Sequence, residues 1–75
     1  MTIAPNPASR KVTLTISGNK KLLTVDLVNA SGQQLKRFTM RGDMLNINLP
    51  KLASGLYYLR VTGEGFAQTE KLIIQ

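Results

Sequence analysis

The chain has 75 residues, a hydrophobic fraction of 43%, a net charge of +6 and no cysteine, histidine or tryptophan. Its length predicts one domain over residues 1–75. Without thiols and imidazoles the chain lacks the usual ligands of zinc, copper and iron–sulfur sites, and it lacks the usual base of nucleophilic triads. Because the four carboxylates lie in separate segments, at Asp26, Asp43, Glu64 and Glu70, we expect no enzyme, no metal and no cofactor.

The N-terminal segment differs in character from the rest of the chain. Residues 1–4 are interpreted as a linker or a short edge strand that includes Ile3. Pro5 fixes its own φ, and Pro7 disfavours helical geometry at Asn6. The sequence therefore predicts a rigid extended corner at Pro5-Asn6-Pro7.

Strict alternation of apolar and polar residues predicts β-strands along most of the remaining chain. The apolar positions that share a face are Val12, Leu14 and Ile16; Leu23, Val25 and Leu27; Leu45, Ile47 and Leu49; Tyr57, Leu59 and Val61; and Leu72 with Ile74, or with Ile73 if the register slips by one. Turn-forming clusters of glycine, asparagine and serine recur roughly every 8–14 residues between these runs, as in a small sandwich. The predicted fold class is all-β, with about seven short antiparallel strands.

One predicted strand, between Gln34 and Met40, breaks the alternation. Leu35 and Phe38 are three positions apart, which indicates a β-bulge or an edge strand. Lys36 and Arg37 lie in the same segment, and charged side chains protect a free edge against aggregation.

Four segments carry recognisable motifs in a fixed order. They are residues 3–9 with Pro5-Asn6-Pro7, residues 25–35 with Gly32-Gln33, residues 52–61 with Gly55 and Tyr57, and residues 70–75 with a lysine before an apolar run. In this order and spacing they resemble the type A C-terminal sorting domain of proteins exported by the type IX secretion system of Bacteroidota. Two positions depart from the pattern: Val28 stands where the family often has an aromatic residue, and Gln75 where a basic residue is common.

The resemblance implies a compact immunoglobulin-like β-sandwich at the end of a larger cargo protein. It further implies recognition by the outer-membrane translocon, removal in most members by a sortase-like protease, and attachment of the cargo to anionic lipopolysaccharide. We accordingly expect a secreted or cell-surface protein that travels through the periplasm, with the type IX machinery as its partner. A monomer or weak dimer is expected.

Two groups of residues are candidates for function. The terminal strand, Lys71, Leu72, Ile73, Ile74 and Gln75, is predicted to be part of the fold and also accessible to a receptor, which could bind by edge-strand pairing. The other motif residues, Pro5, Asn6, Pro7, Gly32, Gly55 and Tyr57, are interpreted as mainly structural. Gly55 would give backbone freedom at a hairpin entry, and Tyr57 would bury its ring with the hydroxyl at the rim.

The positive charge leaves one alternative open. An immunoglobulin-like binding module for acidic polysaccharide or lipopolysaccharide, retained in a surface protein or a secretion-machinery component, would also carry a basic surface. A solvated surface that prevents self-association explains the charge as well. Nucleic acid is not expected, because the basic residues are dispersed and not interleaved with aromatic ones. No apolar run approaches the roughly 18 residues of a membrane span, and the N-terminus lacks a signal-peptide pattern.

Overall fold

The computed structural model describes residues 1–75 and contains seven β-strands. These are β1 (Thr2–Ala4), β2 (Lys11–Thr15), β3 (Leu23–Asn29), β4 (Gln34–Met40), β5 (Met44–Asn48), β6 (Gly55–Gly63) and β7 (Phe66–Ile74). They form a three-stranded sheet in the order β1-β2-β5 and a four-stranded sheet in the order β4-β3-β6-β7. All the strand pairs within the two sheets are antiparallel, which confirms the predicted all-β sandwich. No helix that could cross a membrane is present.

The core lies between the two sheets, because each strand turns one set of alternate side chains inward. Val12, Leu14 and Ile47 come from the three-stranded sheet, and they form one cluster with buried residues of the four-stranded sheet. The buried apolar residues of that second sheet and of the N-terminal segment are Ala8, Leu23, Val25, Leu27, Met40, Tyr57, Leu59, Val61, Leu72 and Ile74. Full burial of one such aliphatic side chain contributes about 1.5–3 kcal/mol, so this cluster is the main stabilising feature of a chain without disulfides.

Strand β4 forms one edge of the four-stranded sheet and contains the predicted irregularity. Leu27 of β3 pairs with Lys36, whereas Val28 pairs with Gln34, so Leu35 is the additional residue of a β-bulge. Both the bulge and the edge position follow the expectation from the broken alternation.

The hairpin between β6 and β7 contains Gly63, a position where there is no room for a side chain. Gly63 pairs with Phe66 across the hairpin, and a Cβ atom at Gly63 would overlap the side chain of Leu23. The sequence indicated only a turn here, whereas the structure places Gly63 inside β6 with the turn at Glu64 and Gly65.

Strand β7 begins earlier than the sequence indicated. Its first half carries Gln68 and Glu70 on the same side as Leu72, but these side chains are exposed and half-buried, respectively. This part of β7 therefore lacks the apolar alternation by which the other strands were predicted.

Candidate functional site

The terminal strand presents two different sets of side chains. Leu72 is completely buried and Ile74 nearly so, whereas Lys71, Ile73 and Gln75 are exposed. Ile73 retains 36% of its accessible surface. The register is therefore the one in which Leu72 and Ile74 share the inward face. Of the five residues predicted for recognition, only Lys71, Ile73 and Gln75 offer side chains to a partner.

The outer edge of β7 is covered by the N-terminal segment. Strand β7 is the last strand of its sheet, and β6 pairs with only one of its sides. On the other side, the Ala8 N–H donates to the Ile73 carbonyl at 2.8 Å, and the Gln75 N–H donates to the Ala8 carbonyl at 2.8 Å. Ala8 and Ile74 thus form an isolated parallel bridge.

The side chain of Asn6 extends this pairing. Its Nδ2 donates to the Lys71 carbonyl at 3.0 Å, and its Oδ1 accepts from the Ile73 N–H at 3.0 Å. A carboxamide has the same donor and acceptor as a peptide group, so Asn6 acts in place of a neighbouring strand. The Pro5 and Pro7 peptide bonds on either side are both cis. We refer to Asn6, Ala8 and their hydrogen bonds to residues 71–75 as the N-terminal clasp.

The clasp decides which part of the β7 edge is open. Four main-chain groups of the terminal strand, from the Lys71 carbonyl to the Gln75 N–H, are already bonded to the clasp. In an antiparallel strand, alternate residues direct their N–H and C=O groups to the same side. The open part of the edge is therefore at Ala67 and Thr69. A receptor strand at residues 71–75 would first have to displace the clasp, and edge pairing there stays a prediction.

The other motif residues have local roles in turns and packing. Gly32, with a φ of +91°, closes the β3–β4 turn, where the Asn29 side-chain oxygen accepts from the N–H groups of Ser31 and Gln33 at 3.2 and 2.9 Å. Gly55 is the first residue of β6. Tyr57 is buried, and its hydroxyl donates to the Ala53 carbonyl at 2.7 Å.

An ion cluster on the four-stranded sheet was not anticipated from the sequence. Asp26 of β3 pairs in register with Arg37 of β4 and with Arg60 of β6, and Asp26 is the only buried charged residue. The Arg37 Nε donates to Asp26 Oδ1 at 2.8 Å, whereas the Arg60 Nη2 lies 3.8 Å from Asp26 Oδ2. The hydrogen bond to Asp26, and then its negative charge, raise the pKa of Arg37. Only strand register brings these three residues together.

Comparison with known proteins identifies the family of the chain. A search of curated proteins found no match. The family model described as the secretion system C-terminal sorting domain, by contrast, matches residues 2–75. This range includes all four motif segments and every strand of both sheets. The chain therefore belongs to the C-terminal sorting domains of the type IX secretion system, which confirms the resemblance seen in its motifs.

Proposed function

We propose that the chain is a non-catalytic sorting signal, which directs an attached cargo protein through the type IX outer-membrane translocon. The observation that carries this proposal is the family match over residues 2–75. The domain supplies no cluster of three or more metal-ligating side chains, and the chain carries a net charge of +6. The cargo would accordingly be a secreted or cell-surface protein that passes through the periplasm.

We assign recognition to a terminal patch made of Asn6, Lys71, Ile73 and Gln75. The side chains of Lys71, Ile73 and Gln75 alternate with buried ones and therefore lie on one face of β7. Asn6 is fixed beside them by its two hydrogen bonds to the strand. A translocon component that binds this patch would contact both ends of the folded domain, so an unfolded chain would not be recognised.

The later steps are part of the same proposal. After export, a sortase-like protease would remove the domain, and the cargo would be attached to anionic lipopolysaccharide. The domain itself would act as a monomer or weak dimer throughout.

A fusion experiment tests the sorting function. The chain is fused to the C-terminus of a periplasmic reporter and expressed in a Bacteroidota strain with an active type IX system and in its translocon-deficient derivative. We expect the reporter on the surface or in the medium of the first strain and in the periplasm of the second. A reporter that stays periplasmic in both strains, while the purified domain is retained on an acidic-polysaccharide column, would favour the binding-module alternative.

Single substitutions test the terminal patch more sharply than a truncation. Deleting residues 71–75 also removes the buried Leu72 and Ile74, so lost secretion could reflect lost folding. The Ile73→Ala and Lys71→Ala variants change exposed side chains only, and we expect each to lower export of a reporter that remains folded. Lys51→Ala, at another exposed lysine, is the matched control. Normal export of the triple alanine variant at positions 71, 73 and 75 would overturn the assignment of recognition to this patch.

A further inference from the structure

The outer face of the four-stranded sheet carries a hollow that the sorting motifs do not explain. Two rows of paired residues define this face: Gln34, Val28, Tyr58 and Lys71 in one row, and Arg37, Asp26, Arg60 and Thr69 in the next. Between these rows and the β3–β4 turn lies a cavity of about 260 Å³. Val28, Ala30, Tyr58, Arg60 and Thr69 line it, and we call it the outer hollow.

The lining of the outer hollow combines apolar and polar groups. Val28 points away from the core, yet it is only 4% exposed, because it lies at the base of the hollow among its neighbours. Tyr58 pairs with Val28 and is half-buried. A half-buried tyrosine beside an apolar recess is a common anchor point in protein interfaces.

The guanidinium of Arg60 makes one long ion pair and no hydrogen bond within the protein. Its side chain is 46% exposed, and its Nη2 lies 3.8 Å from Asp26, beyond hydrogen-bond distance. Asp26 already accepts two hydrogen bonds from Arg37, at 2.8 and 3.4 Å. The guanidinium of Arg60 therefore keeps its forked N–H donors available, and this geometry suits a carboxylate.

The charges around the outer hollow select an acidic partner. Asp26 is the only acidic residue in the two rows. It pairs with Arg37 and Arg60, and Lys71 lies in the neighbouring row, so this part of the face has an excess of positive charge. The chain as a whole carries a net charge of +6, which would steer acidic partners toward it. The outer hollow combines an apolar base with an available guanidinium. An acidic and an apolar side chain of a protein could fill both parts, whereas a sugar acid has no apolar group to fill the recess.

We propose that the outer hollow is a docking site for an acidic segment of a partner protein. In this arrangement a carboxylate of the segment binds Arg60, and a neighbouring apolar side chain fills the recess over Val28 between Tyr58 and Ala30. The proposal goes beyond the sorting function and does not require that the partner be part of the export machinery. It also differs from edge pairing, since it uses side chains of the sheet face and no main-chain groups of β7.

Titration of the isotope-labelled 75-residue chain, followed by two-dimensional NMR, tests the proposal. The probe is a short acetylated peptide in which leucine and glutamate stand two positions apart, so that both side chains lie on one side of an extended backbone. We expect saturable shifts of the Val28, Tyr58, Arg60 and Thr69 amides. The same peptide with glutamine in place of glutamate should bind about tenfold more weakly, because the charge-assisted hydrogen bonds are lost.

Variants of the chain separate the docking site from general charge attraction. Arg60→Gln and Arg60→Lys should each weaken binding, the second because an ammonium lacks the forked donors of a guanidinium. Val28→Phe should weaken it by filling the recess, while aromatic residues remain favourable in a strand. Arg41→Gln, at an exposed arginine outside the hollow, is the control and should bind as the parent does.

Several outcomes would overturn the proposal. Equal weakening by Arg41→Gln and Arg60→Gln would show non-specific attraction, and unsaturable shifts or none at millimolar peptide would show that the hollow has no such ligand. Tighter binding of alginate at the same amides would assign the hollow to acidic polysaccharide instead. Preserved dispersion of the NMR spectrum in each variant is the check that the fold is intact.

Discussion

The side-chain amide of Asn6 hydrogen-bonds to the main-chain N–H of Ile73, a residue 67 positions further along the chain. Together with the bond from Asn6 to the Lys71 carbonyl, this contact replaces a strand that the four-stranded sheet does not have. An unpaired edge is a site of aggregation and wrong pairing, and natural β-proteins cover or protect such edges. The Pro-Asn-Pro motif therefore protects the half of the edge that lies next to the chain terminus.

The N-terminal clasp should contribute measurably to stability. Asn6→Ala removes two hydrogen bonds, and because each contributes about 0.5–1.5 kcal/mol, we expect a loss of about 1–3 kcal/mol in the free energy of unfolding. Urea denaturation measures this loss, and amide exchange at Ile73 should accelerate. Asn6→Asp keeps the acceptor for the Ile73 N–H but turns a carboxylate oxygen toward the Lys71 carbonyl, so we expect a loss at least as large as that of Asn6→Ala. The control is Asn48→Ala, at an exposed strand asparagine; an equal effect there would argue against the clasp.

The ion cluster makes a second contribution, which depends mainly on Arg37. Arg37→Ala leaves the buried Asp26 carboxylate with Arg60 alone at 3.8 Å, so we expect a lower free energy of unfolding. Arg41→Ala, at an exposed arginine in the β4–β5 loop, should change stability by less than about 0.5 kcal/mol. Chemical denaturation of both variants in parallel measures the difference. Equal stability of the two variants would mean that the contact between Arg37 and Asp26 does not stabilise the fold.

The two adjacent tyrosines should respond differently to loss of the hydroxyl. Tyr57→Phe removes the 2.7 Å hydrogen bond to the Ala53 carbonyl, and we expect a loss of about 0.5–1.5 kcal/mol. Tyr58 makes no hydrogen bond within the protein through its hydroxyl, so Tyr58→Phe should leave the thermal midpoint nearly unchanged. If Tyr58→Phe lowers the midpoint as much as Tyr57→Phe does, the bond to Ala53 is not the stabilising contact.

Substitutions at two neighbouring positions of the terminal strand should have different effects on stability. Leu72→Ala removes a completely buried side chain, and a loss of about 2–5 kcal/mol is expected. Ile73→Ala changes an exposed side chain and should cost less than about 1 kcal/mol. Denaturation midpoints of the two purified variants, measured beside their export as reporter fusions, test this. Comparable destabilisation by both substitutions would contradict the register of β7.

The strands that could be predicted from the sequence are those in which apolar and polar residues alternate. Leu45, Ile47 and Leu49 alternate with polar residues, and the structure buries Ile47 and half-buries the other two. The irregularity of β4 was likewise predicted, as a bulge or an edge strand, because it appears as a break in the same period. The first half of β7 was missed, since polar side chains occupy its inward positions beyond the apolar core.

The candidate site was less predictable, because its contacts join distant segments. The sequence indicated the importance of Asn6 only through a family motif, and its partners at Lys71 and Ile73 depend on how β7 and the N-terminus meet. The same holds for Asp26 and Arg60, which are brought together by the pairing of β3 with β6. Spacing within one strand carries no information about such neighbours across the sheet.

The position of β7 has a consequence for when this domain can fold. A ribosome makes the chain from the N-terminus, so β1 to β6 exist while the last core residues, Leu72 and Ile74, are still missing. The bonds between Ala8 and residues 73–75 join the N-terminal segment to the end of β7, the last of the seven strands in chain order. The sandwich therefore closes only after translation has passed residue 75, and a product released prematurely would lack the folded domain.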